Sequence, residues 1–260
     1  MSAIILDGSI VHYEALGKGR PIVFLHGWVG SWRYWISAMQ VASTSYRAYA
    51  FDLYGFGDTA HEPLKYSLER QADLLDRFLG VMGIGKIAII GHGLGALVGL
   101  EFIKQFKNSV DRIMLVGCPL SYDAVNARLR TAPIAELVEW LSTRTPDTVS
   151  ALSDASKTDP IAVAASLTGL QANGLVESVH DANIPCLFVF GENDPAITLP
   201  PEGSISSFMM HQVVLENIGH FPMIEDPLKF NRLMTDFLAL DSGVSPTELQ
   251  LKEEWKRRMR

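Results

Sequence analysis

Five short runs, 22–25, 48–53, 87–90, 113–116 and 187–190, are apolar throughout or nearly so and rich in β-branched or aromatic side chains. A strand with one face in water alternates between apolar and polar residues. A strand apolar on both sides needs cover on both, which is the condition inside a parallel sheet lying between two helical layers. Longer stretches with helical periodicity separate the runs, at 32–43, 68–82, 96–106 and, after Asp226, 228–240. Such alternation constrains the chain to a doubly wound α/β fold with a mostly parallel sheet. Residues 4–14, broken by Asp7-Gly8, add a hairpin at one edge.

The interval 119–185 differs. It carries helical patterns, such as 132–141 and 161–170, and no strand as clear as the others. An excursion of this length is too long for an unstructured loop in a compact domain, and it reads as a helical cap inserted over one end of the sheet. The core is then 1–118 together with 186–240. A charged tail, 241–260, follows, in which Ser245-Pro246-Thr247-Glu248 has the order of a helix start: Ser at the N-cap, Pro at N1, Glu at N3.

Composition narrows the class. Hydrophobic residues make up 48% and charged residues 20%, which excludes wholesale disorder. A net charge of −7 argues against a phosphate-binding face, so nucleic acid is not an expected partner. No apolar stretch reaches the ~18 residues of a membrane span, and the N-terminus lacks the basic region of a secretory signal. Cys118 and Cys186 lie in or beside apolar runs and read as buried thiols in a reducing compartment, which makes the cytoplasm the expected location. No His/Cys cluster has metal-ligand spacing, so neither metal nor cofactor is expected. Oligomeric state has no signature here.

Chemistry concentrates where strands end. FLHGW (24–28), FDLYGFGDT (51–59), GHGLGA (91–96), FGENDP (190–195) and NIGHFPMIEDP (217–227) each close a predicted strand. In an open α/β sheet, ligands bind beyond the carboxyl ends of the strands, so the five segments converge on one crevice. In this order and spacing they resemble the α/β-hydrolase superfamily, esterase- and lipase-like, up to about Leu240. The resemblance implies an eight-stranded sheet, Asp194 as the acid and His220 as the general base. It also implies an oxyanion hole from the backbone N–H groups of Trp28 and Leu94. His26 is expected to brace the oxyanion turn, His92 to pack, and Trp28 also to line an apolar pocket. Glu192 is a rival acid that the G-x-x-D spacing disfavours, and Cys118 reads as inert.

One position departs from the family pattern. The nucleophile elbow G-x-S-x-G is here Gly91-His92-Gly93-Leu94-Gly95, with glycine where the serine belongs. Glycine relieves a strained turn at little cost to the fold, but it removes the acyl-enzyme route. Three readings stay open at this point. The dyad activates water, or deprotonates a small apolar ester or other carbonyl compound; the protein binds such a ligand without turning it over; or an active serine hydrolase carries a deliberate serine-to-glycine change.

Overall fold

The structure is a computed structural model that describes residues 2–249 apart from 169, 171–173, 202, 206 and 242. Its strands are β1 (Ser2–Leu6), β2 (Ser9–Gly17), β3 (Arg20–Leu25), β4 (Tyr46–Phe51), β5 (Ile87–His92), β6 (Val110–Val116), β7 (Cys186–Gly191) and β8 (Met210–Leu215). They form one sheet in the order β1-β2-β4-β3-β5-β6-β7-β8. β1 pairs antiparallel with β2, and β2 with β4; all other pairings are parallel. The edge hairpin turns at Asp7 (φ +47°) and Gly8 (φ +81°), the left-handed pair that a two-residue hairpin loop requires.

The apolar runs are the parallel strands. Ile22, Val23, Phe24 and Leu25 of β3 are all fully buried, although successive side chains point to opposite faces, so both faces are covered. One helical layer consists of α2 (Leu68–Met82), α3 (Leu94–Phe106) and α8 (Leu175–Ala182); the other pairs α1 (Ile36–Ala42) with α10 (Pro227–Leu238). Ser67 caps α2 by accepting from the Arg70 N–H, and Gly83, in the left-handed region at φ +65°, ends it. The predicted helix 32–43 divides into a 3-10 turn, Trp32–Trp35, and α1.

The fourth strand ends earlier than the apolar run 48–53 suggests. It is Tyr46–Phe51; one residue on, the Asp52 N–H still donates to the His12 carbonyl (3.1 Å), while its carboxylate accepts from the N–H groups of Trp32 (2.9 Å) and Asp58 (3.1 Å) and meets His12 Nδ1 at 2.9 Å.

Between β6 and β7 the chain runs through α4 (Ala127–Thr131), α5 (Ile134–Leu141), α6 (Pro146–Ala151), a 3-10 turn (Ser153–Lys157) and α7 (Pro160–Thr168) before α8. A short α9 (Pro222–Glu225) precedes α10. The tail helix expected from Ser245 begins with a 3-10 turn, Pro246–Glu248, in which Ser245 Oγ accepts from the Thr247 N–H at 3.2 Å. Its continuation over 250–260 lies outside the described residues. Among the described residues no helix is long and apolar enough to cross a membrane.

Candidate active site

β3, β5, β7 and β8 release their chains at the same edge of the sheet, and close backbone approaches set the loops against one another. Gly95, in the first turn of α3, lies so near β3 that a Cβ there would stand 2.3 Å from the Leu25 carbonyl oxygen. Gly191, ending β7, admits no side chain either: a Cβ would stand 2.0 Å from the Gly219 oxygen. That contact brings the loop of Asp194 beside the loop of His220.

The result is a buried pair. His220 Nδ1 lies 3.0 and 2.9 Å from the two oxygens of Asp194, and each side chain is 2% exposed. A carboxylate only accepts, so Nδ1 carries the proton and Nε2 is left as the basic nitrogen. Asp194 Oδ1 also accepts from the N–H groups of Ala196 (2.8 Å) and Ile197 (3.3 Å), which fix its rotamer. Glu192, the rival acid, instead accepts from the Asn217 N–H at 2.9 Å.

Two further histidines hold the loops together, both neutral for the same reason. His26 Nδ1–H donates to the Gly27 carbonyl (2.8 Å), and its Nε2 accepts from the Leu53 N–H (3.0 Å), tying the β3 loop to the β4 loop. Burial lowers its pKa from the ordinary 6.5. His92 does more than the packing expected of it. Its Nε2–H donates to the His220 carbonyl (3.0 Å), and its Nδ1 accepts from the Tyr34 hydroxyl (3.0 Å), which in turn accepts from the Gly27 N–H. Burial first, then the proximity of His220, holds His92 well below 6.5. Gly27, Tyr34, His92 and His220 are thus one chain of hydrogen bonds across three loops. The H-G and G-H motifs contain three of these residues, Gly27, His92 and His220, but nothing in the spacing of Tyr34 points to its part.

Gly93 sits at φ +49°, ψ −108°, outside the conformations that a residue with a Cβ readily adopts, and is the N-cap of α3. Its own N–H donates to the Val116 carbonyl (2.9 Å), and the Gly95 N–H donates to the His26 carbonyl (2.9 Å). Leu94, as the first residue of the helix, has no acceptor for its N–H within α3. Trp28 is fully buried, with its indole over Gly93: a Cβ on Gly93 would stand 2.9 Å from Cζ3 and 3.0 Å from Cε3. At the other edge of the ring, Nε1–H donates to Ser166 Oγ of α7 (2.8 Å). Burial raises the pKa of both Cys118 and Cys186, which keeps them as thiols.

Among the described residues, one group places possible metal-ligand atoms within 4.8 Å of one another: His12, Asp52 and Asp58. The Asp52 carboxylate already serves three loop contacts there, so the group reads as structural.

Comparison with known proteins places this architecture. A family model described as the alpha/beta hydrolase family matches residues 22–233. The chain is 24% identical over 268 residues to the 2-hydroxy-6-oxo-6-(2'-aminophenyl)hexa-2,4-dienoic acid hydrolase of Metapseudomonas resinovorans, covering 92% of this chain and 90% of that one. Its fold is similar to that of a serine-to-glycine mutant of the N-acyl homoserine lactonase AidH, complexed with N-hexanoyl homoserine lactone. There the TM-score is 0.81 and the identity 21%, over 91% of this chain and 96% of the other. The enol-lactonase of Burkholderia xenovorans is also similar in fold, with TM-score 0.76 and 18% identity over 92% of this chain and all of the other. With the matched region spanning the sheet from β3 to α10, the chain belongs to the alpha/beta hydrolase family.

Proposed function

We propose that the protein is a hydrolase by descent that takes a small, mostly apolar ester or other carbonyl compound and acts on it without a covalent intermediate. The observation that carries this reading is the buried Asp194–His220 pair, complete and oriented beside an elbow that offers no nucleophile. Asp194 holds the Nδ1 proton of His220, which leaves Nε2 to take a proton from water or directly from the substrate. The N–H groups of Trp28 and Leu94 are assigned to the oxyanion. The homologous dienoic acid hydrolase and the lactonases of similar fold, named for carbonyl compounds, support that substrate class.

The magnitudes set expectations. Loss of a serine nucleophile costs on the order of 10⁶ in kcat in a serine protease, while about 10³–10⁴ over water survives without the triad. Hydrolysis of p-nitrophenyl acetate and butyrate is therefore slow, shows no burst, and falls about tenfold or more in His220→Ala and in Asp194→Asn. A parent rate equal to buffer, or a His220→Ala rate equal to the parent's, removes the catalytic reading.

A second reading is ligand binding without turnover. Glycine at 93 favours it, because the elbow itself offers no nucleophile beside the pair. It predicts that apolar esters raise the melting temperature of the parent while no product forms.

A further inference from the structure

Trp28 is tied at two edges to two different parts of the protein. The benzo edge lies on Gly93, at the start of α3; the pyrrole edge donates to Ser166 in α7. The Ser166 hydroxyl gives its own proton to the Val163 carbonyl (2.7 Å), so its lone pair is set to receive the indole N–H. Ser166 is 1% exposed and Trp28 has no exposed surface, so neither bond competes with bulk water. Carbon atoms in favourable contact are about 3.5–4.0 Å apart. At 2.9 and 3.0 Å a Cβ on Gly93 would be too close to the ring by several tenths of an ångström, so the indole would have to give way to any side chain there. Glycine is the seat on which the indole rests.

We propose that Trp28 is the gate and the specificity-determining side chain of this site. A carbonyl group reaches the place in front of Gly93 only when the indole swings out and gives up its bond to Ser166, so occupancy of the site is coupled to release of α7. This rests on the assignment of Gly93 to the nucleophile position. It adds that the missing hydroxyl is not the only obstacle there, since serine restored at 93 would meet the ring. The gate favours slender reagents, and cutting the tie to Ser166 widens access without touching Asp194 or His220.

Two measurements test this, and they fail separately. The first is a double-mutant cycle of Gly93→Ala and Trp28→Leu on the melting midpoint. Backbone strain at 93 is common to both arms and cancels. Gly93→Ala is expected to lower the midpoint in both backgrounds through backbone strain, and by about 4 °C more with Trp28 in place than in the Trp28→Leu background. Equal drops overturn the packing of the ring on Gly93. If Trp28→Leu does not fold, Trp28→Phe takes its place in the cycle.

The second is labelling by a fluorophosphonate of Gly93→Ser alone and combined with Trp28→Leu or with Ser166→Ala. Either combination is expected to label at least tenfold faster than Gly93→Ser alone. Equal rates in all three overturn the gate. Thermal coupling with no labelling in any serine variant upholds the packing of Trp28 and overturns the catalytic reading on which the gate depends.

Discussion

Glu225 grips the backbone on both sides of His220: Oε2 accepts from the Gly219 N–H (2.7 Å) and Oε1 from the Phe221 N–H (2.9 Å). A carboxylate suits two converging donors, whereas an amide turns one of its own donors toward an N–H. Glu225→Gln is expected to lower stability by about 1 kcal/mol, read by urea denaturation, and to speed hydrogen exchange at those two amides. Exchange unchanged at both would remove this role. The sequence marks Glu225 only as part of the E-x-P that follows GHFP. Its role depends on the chain turning back within a short helix, which spacing alone does not reveal. The Asp194–His220 pair was legible because both members stand at fixed offsets from strand ends. The bridging by His92 was not, because its partner Tyr34 lies on a different loop.

At the level of elements, apolar runs predict strands well where both faces are covered, and less well at their ends. β4 is the example, starting before the apolar run 48–53 and ending before it does, at Phe51. The segment between β6 and β7 was legible as helical but not in its divisions, because its anchors are more than ninety positions away in the chain. Asp154, in the 3-10 turn 153–157, accepts from Ser31 Oγ at 3.1 Å and pairs with Arg33 and Lys157. Burial disfavours its charge, but Lys157, Arg33 and Ser31 outweigh that and hold its pKa below the usual carboxylate value. Asp159 meets the Tyr66 hydroxyl at 2.8 Å, and its N–H donates to Gly55. Replacing Asp154 by Asn removes the buried charge that holds two partly exposed cations. Hydrogen exchange over 153–168 is expected to quicken roughly tenfold while β5 is unchanged. Equal protection in parent and variant would show that these ties do not hold the segment down.

Across the whole molecule, the buried histidines set the response to acid. His26 and His92 are neutral in the folded state with lowered pKa values, so below about 6.5 the unfolded chain takes up protons that the folded one refuses. Their contribution is complete above that pH and is lost as pH falls. His12 runs the other way. Burial opposes its charge, but the hydrogen bond and charge of Asp52, then Glu14 and Asp58, raise its pKa, so its contribution is present in acid and lost as pH rises through its folded value. The pKa of His211, half-buried, is lowered by burial as those of His26 and His92 are. Three such groups against one predict a melting midpoint that is level from pH 8 to 7 and declines from about 6.5 toward 4. A midpoint constant to pH 4 would contradict this. The indole resting on Gly93 also bears on descent. Any side chain added at 93 would press on that ring, so a change at 93 alone is opposed by packing and a change at residue 28 alters what 93 tolerates. The two positions are therefore coupled, and their variation cannot be read independently.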